Sequence, residues 1–162
     1  MDSHLNTPLR YIEGNNRKAG NRIGSLLFEI LNTETKTFHE IVFLCIGSDR
    51  ITGDSLGPII GHRLSREHLN KCNIYGTLSQ PVHALNLHET LQTIKEEHPD
   101  CLIIAIDASL GSKKHQGFVT VSNGPLIPGL GVKKKLPPVG DISITGIVNL
   151  SGAFEHFALQ TT

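Results

Sequence analysis

The sequence predicts an α/β protein in which helices cover both faces of a doubly wound, mainly parallel β-sheet. Two near-continuous apolar runs, EIVFLCIGS at residues 40–48 and CLIIAIDA at residues 101–108, are typical of strands buried on both faces of a parallel sheet. Stretches with the helical spacing of apolar residues alternate with such runs. Because no internal repeat or linker divides the chain, we expect residues 1–20 to be a flexible arm and residues 21–162 to form one domain.

Each element of this domain follows from a local pattern. A helix is expected at residues 21–32, where apolar residues recur on one face. Three more helices are expected, at residues 57–70, 86–99 and 151–160. Three shorter strands are expected at residues 73–78, 117–124 and 142–149. Asn86 and Glu89 form a capping box at the start of the third helix, and Pro99 ends that helix.

Composition excludes several classes of partner. Fifteen basic residues balance fifteen acidic ones, so the net charge indicates neither a nucleic acid nor an anionic membrane as partner. No apolar run is long enough to span a bilayer, and the first residues lack the apolar segment of a secretion signal. Cys45 and Cys101 lie inside apolar runs and are expected to be buried, reduced thiols. We therefore expect a cytoplasmic protein.

The loop CIGSDRITGDSLGP, residues 45–58, ends the first strand and has three possible uses. Its glycine spacing, G-x5-G-x3-G, matches no phosphate-binding motif, and its two aspartates would repel a phosphate. If Asp54 capped the next helix, Pro58 would fall where a backbone N–H is required, and proline has none. Ser55 or Gly57 is a better cap, which would leave the Asp54 carboxylate free, although capping by Asp54 stays open.

The third use is catalytic and requires a second carboxylate. Asp107 ends an apolar strand, where an aspartate is otherwise costly. The first three predicted strands are residues 40–48, 73–78 and 101–108. If the first of them lies between the other two in the sheet, which is the order 2-1-3, a crevice opens between the strands that end at Ser48 and Asp107. Asp54 would then face Asp107 across this crevice. Two carboxylates in one desolvated site share a proton, so one can activate water while the other polarises a carbonyl. Asp49 is a weaker candidate because the adjacent Arg50 could pair with it.

Three motifs in the chain closely resemble the YyaC family of sporulation proteins: CIGSDRITGDSLGPIIGHRL, AIDASLG and PGLGVKKKLPPVGDISITGIVN. That family is similar to the spore germination protease, an atypical aspartic protease that degrades small acid-soluble spore proteins. The resemblance covers residues 20–162 and implies that Asp54 and Asp107 are the catalytic aspartates. The loop is also similar to that of hydrogenase maturation proteases, in which a carboxylate at the position of Asp54 helps to bind nickel in the substrate. Ile127 departs from the germination protease, which has a histidine there.

The resemblance and the loop composition together suggest substrate contacts. We expect them from Ser48 and Asp49 in the first loop, and from Gly129, Gly131 and Lys133 in the second. The second loop, which is rich in Gly, Pro and Lys, could act as a flap that steers an anionic substrate toward the carboxylates. The alternative for its lysines is a solvated surface loop.

Nine histidines raise the question of a metal. His83 or His115 could join Asp54 and Asp107 in a site for a divalent ion, although for either histidine a surface or hydrogen-bonding role is the more common one. We expect no cofactor. The function expected is that of an aspartic-type endopeptidase acting on a small protein or peptide. The alternatives are a metal-dependent peptidase like the hydrogenase maturation enzymes and an inactive relative that binds a partner during sporulation.

Overall fold

The computed structural model describes residues 10–50, 53–129 and 136–148. Within them the chain forms a mixed β-sheet, three α-helices and one short 3-10 turn. The strands are β1 Arg10–Glu13, β2 Glu40–Cys45, β3 Cys72–Tyr75, β4 Cys101–Leu110, β5 Phe118–Ser122 and β6 Ile142–Val148. The helices are α1 Ala19–Thr33, α2 Leu56–Ser65 and α3 Leu87–Glu97, and the 3-10 turn is Lys113–His115. The helix expected at residues 151–160 lies outside the described residues.

The α/β class is confirmed, but the sheet is more mixed than the sequence predicts. Its strand order is β1-β5-β6-β4-β2-β3, in which β6, β4, β2 and β3 are parallel. By contrast, β5 runs antiparallel to β6, and β1 runs antiparallel to β5. Residues 111–117, which link β4 to β5, are too few for the crossover that a parallel strand requires. The chain therefore turns back at this point, and the prediction of a mainly parallel sheet holds only for the four adjacent strands β6, β4, β2 and β3.

The prediction of a flexible arm at residues 1–20 is wrong for residues 10–13. Residues 10–13 form the edge strand β1, paired in register with β5 from Arg10–Val121 to Glu13–Phe118. Of these four residues, only Ile12 is buried. A strand with a single buried side chain leaves no alternation that a sequence pattern could detect. Residues 1–9 lie outside the described residues.

Helices pack against both faces of the sheet. On one face, Ile94 of α3 packs with Val42 and Leu44 of β2. On the opposite face, Cys45 belongs to a cluster that also contains Ile60 of α2 and residues of α1. This division follows from the alternation of side chains along a strand. None of the described helices combines the length and the apolar character that crossing a membrane requires.

The cysteines behave as their surroundings predict. Cys45 and Cys101 are buried, and all three cysteines of the chain are free. Burial raises the pKa of the Cys45 thiol to about 12. Because a thiolate is the reactive form, this thiol is a packing group rather than a nucleophile.

The order β3-β2-β4 places a topological switch point between β2 and β4, in the middle of the four parallel strands. The chain leaves β2 through α2 to reach β3 on one side, then passes through α3 to reach β4 on the other side. The two connections diverge, so a crevice forms beyond the carboxyl ends of β2 and β4. The strands β2, β3 and β4 are the first, second and third strands that the sequence predicted, so this arrangement is the order 2-1-3. The predicted pairing of Asp54 with Asp107 depends on that order.

Candidate active site

The loop after β2 folds back on itself and holds the Asp54 carboxylate inward. The Ser48 N–H donates to the Asp54 carbonyl oxygen at 3.0 Å and to Asp54 Oδ2 at 2.9 Å. Ser55, not Asp54, is the residue at the start of α2, as the position of Pro58 predicts. Asp54 is only 6% exposed. The helix-cap interpretation of Asp54 is therefore wrong, and its carboxylate faces the crevice with one oxygen positioned by Ser48.

Two glycines make this tight loop possible. A Cβ at Gly57, in the first turn of α2, would lie 2.1 Å from the carbonyl oxygen of Ile46. A Cβ at Gly47 would lie 2.1 Å from the Asp54 carbonyl oxygen, and its φ of 152° also disfavours a side chain. The glycines thus allow α2 to begin directly against the end of β2, which fixes the position of Asp54.

Asp107 lies on β4, which continues to Leu110 instead of ending where the apolar run ends. Its side chain is 4% exposed. The N–H of Ala108 donates to Asp107 Oδ1 at 2.8 Å. Among the described residues this is the only hydrogen bond to the carboxyl group, so Oδ2 remains available on the side of the crevice.

Asp54 and Asp107 line one cavity of about 490 Å³ beyond the ends of β2 and β4. Three of the expected substrate contacts, Ser48, Asp49 and Gly129, line the same cavity. The other two, Gly131 and Lys133, lie outside the described residues, and all five roles stay predictions. The cavity is large enough for several residues of a peptide in extended form.

The two carboxyl groups differ in proton affinity. The pKa of Asp107 is raised to about 8, mainly by burial and in addition by the charge of Asp54, while the Ala108 N–H acts in the opposite direction. Burial also raises the pKa of Asp54, to about 6, against the effect of the Ser48 N–H. These pKa values imply that near pH 7 the pair holds one proton, and that Asp107 keeps a proton more readily than Asp54 does.

The remaining side chains of the cavity divide into a charged part and an apolar part. Arg50 lines it beside Asp49, and these two described residues make no ion pair with each other. Leu78, Leu85 and Leu136 are the leucines that line it. Their role at the cavity is not visible in the sequence, because leucines scattered in loops carry no periodic signal.

Only one of the two candidate histidines reaches this cavity. His83 lines it, whereas His115 stacks on Tyr11 with ring centroids 4.2 Å apart and lines a separate cavity. The 3-10 turn after β4 carries His115 toward β1, so it cannot join the carboxylates as the sequence suggested. The described residues contain no group of three His, Cys, Asp or Glu side chains placed to hold a metal ion.

Asn86 begins α3 as predicted, but its side chain does not cap the helix. Instead, Asn86 Oδ1 accepts from the His83 N–H at 2.8 Å, and its Nδ2 donates to the Pro81 carbonyl oxygen at 3.0 Å. The predicted capping box is therefore wrong. Its asparagine braces the preceding turn, residues 81–86, which forms one side of the cavity.

Comparison with known proteins gives a family but no activity. Residues 11–162 match a family described as protein of unknown function (DUF1256). The chain is 51% identical over 122 residues to a protein of Bacillus subtilis (strain 168) called uncharacterized protein YyaC. The match covers 75% of this chain and 60% of that relative. No solved structure matches the chain. With nearly its whole length matched, the chain belongs to the DUF1256 family.

Proposed function

We propose that this protein is an aspartic-type endopeptidase that hydrolyses a peptide bond of a small protein, with Asp54 and Asp107 as its catalytic pair. One observation carries the proposal: two buried carboxyl groups line a single cavity. The raised pKa values of both groups favour a proton held by the pair near pH 7. Among the described residues neither aspartate makes an ion pair, and a buried carboxylate without a cation beside it is costly. A shared proton is the state that hydrolysis by a carboxyl pair uses.

The reaction follows from the protonation states. Ionised Asp54 removes a proton from a water molecule, whose oxygen attacks the carbonyl carbon of the peptide bond. Protonated Asp107 donates a hydrogen bond to the carbonyl oxygen and stabilises the negative charge that develops there. The proton held by Asp54 then passes to the leaving amine, and the carbon–nitrogen bond breaks. The Ser48 and Ala108 N–H groups hold the two carboxyls so that each keeps one oxygen available.

The wider setting of this activity is also part of the proposal. The parallel block of four strands and the switch point support a doubly wound fold like that of hydrogenase maturation proteases. The resemblance to the spore germination protease suggests a cytoplasmic role in sporulating cells. Ser48, Asp49 and Gly129 would contact the peptide backbone, with Gly131 and Lys133 beyond them. A metal-dependent peptidase has less support, because Asp54, Asp107 and His83 do not form a ligand cluster.

The test is a cleavage assay with the purified chain and small protein substrates, read by mass spectrometry from pH 4 to pH 9. We expect the rate to rise as Asp54 loses its proton near pH 6 and to fall as Asp107 loses its proton near pH 8. Addition of EDTA should leave the rate unchanged. Cleavage that EDTA abolishes would support the metal-dependent alternative, and no cleavage of any substrate would contradict the proposal.

A further inference from the structure

Leu85 is an unusual residue on the wall of the cavity. Its side chain is 93% exposed, although leucine gains free energy when it is buried. Leu78, which lines the same cavity, is 40% exposed. Isolated exposed leucines are common on protein surfaces, but these two line the cavity that contains Asp54 and Asp107. Exposed apolar surface and the candidate catalytic pair therefore belong to one cavity.

The turn that carries Leu85 is held in place by hydrogen bonds. Asn86 bridges both ends of the turn through the His83 N–H and the Pro81 carbonyl oxygen. The N–H of Leu85 donates to His83 Nδ1 at 3.3 Å, and the N–H of Leu87 donates to the His83 carbonyl oxygen at 2.9 Å. A turn braced in this way cannot readily fold Leu85 into the core. The backbone that carries the leucine is therefore held before any ligand binds, which lowers the cost of ordering the turn on binding.

We propose that Leu85 and Leu78 form a subsite for a large apolar side chain of the substrate, and that Asn86 is the residue that positions this subsite. The inference rests on the proposed peptidase function and specifies its substrate class. The substrate is an extended peptide with a leucine- or phenylalanine-sized residue beside the bond that is cut. A peptide fits better than an apolar small molecule, because the same cavity contains Ser48, Asp49 and Arg50, which suit a polar backbone.

Cleavage of a synthetic peptide library by the full chain tests the subsite. The wild-type chain should cut beside large apolar residues. Leu85→Ala should lower kcat/KM for leucine-containing peptides by roughly 10-fold or more, with little change for matched alanine peptides. Asn86→Ala should weaken the same preference, because the turn loses its brace. The matched control is Phe28→Ala, since Phe28 is 68% exposed on α1 and does not line this cavity.

A binding assay separates failure of this inference from failure of the proposed function. Fluorescence anisotropy with the Asp54→Asn chain compares two labelled peptides that differ only by leucine or alanine. A leucine preference that Leu85→Ala removes supports the subsite, even if the wild-type chain cuts no peptide and the peptidase proposal fails. The inference is overturned if Leu85→Ala leaves the leucine preference unchanged in binding and in cleavage. It is also overturned if Leu85→Ala instead converts a dimer to a monomer in sedimentation.

Discussion

Asp107→Asn is expected to lower peptide-bond cleavage by roughly 10²–10⁴-fold while the chain stays folded. The amide cannot supply the acidic proton that polarises the substrate carbonyl. Its oxygen can still accept the Ala108 N–H, so the local structure should persist. The measurement is kcat/KM on a peptide that the wild-type chain cuts, at pH 7. Asp100→Asn is the matched control, because Asp100 is exposed at the opposite end of β4.

Asp54→Asn should cause a loss of similar size for a different reason. The asparagine keeps an acceptor for the Ser48 N–H but cannot take a proton from water. Because the two carboxyls act as a unit, the double variant should be hardly slower than either single one. Retained activity in either single variant, with the fold intact by circular dichroism, would rule out the pair as the catalytic centre.

Stability should fall as pH rises from about 4 to about 8. Both carboxyls have pKa values raised in the folded chain, so between the ordinary aspartate value of 3.8 and about 8 the folded state binds more protons than the unfolded state. The free energy of unfolding therefore decreases with pH across that window and levels off above it. Where one carboxyl is protonated in the folded state and ionised in the unfolded state, the expected slope is about 1.4 kcal/mol per pH unit.

Asp107→Asn should remove most of this slope, since an amide does not titrate. The variant is expected to be more stable than the wild-type chain at pH 8 to 9, in contrast to its loss of activity. Urea denaturation at a series of pH values measures the free energy of unfolding, and Asp100→Asn is again the control. A wild-type chain that grows more stable from pH 5 to pH 8 would show that these carboxyls are not held protonated by burial.

The meeting of Asp54 and Asp107 in one cavity was predictable, because the features that indicate it are local in the sequence. Asp107 stands at the end of an apolar run, and Pro58 makes Asp54 a poor helix cap, so both carboxylates needed another role. Alternating strands and helices predicted parallel strands but left their order as a condition, which the structure meets. The antiparallel direction of β5 could also have been predicted, because the short link from β4 leaves no room for a crossover.

Other features depend on contacts that no local pattern records. The edge strand β1 forms because β5 has a free edge to pair with. The sequence does not indicate this strand, because only one of its four residues, an isoleucine, is buried. Asn86 was predicted to cap α3, but the carbonyl of Pro81 and the N–H of His83 compete for its side chain. The exposure of Leu85 follows from that brace, so it emerged only with the three-dimensional structure.

The most direct test of the central claim, that Asp54 and Asp107 share one proton in one site, is a titration of their carboxyl carbons by NMR. The spectra of ¹³C-labelled wild-type chain are compared with those of Asp54→Asn. We expect Asp107 to titrate near pH 8 in the wild-type chain, and at a lower pH, though still above its usual range, once the charge of Asp54 is gone. An Asp107 that titrates near pH 4, or one that Asp54→Asn does not shift, would contradict the pair.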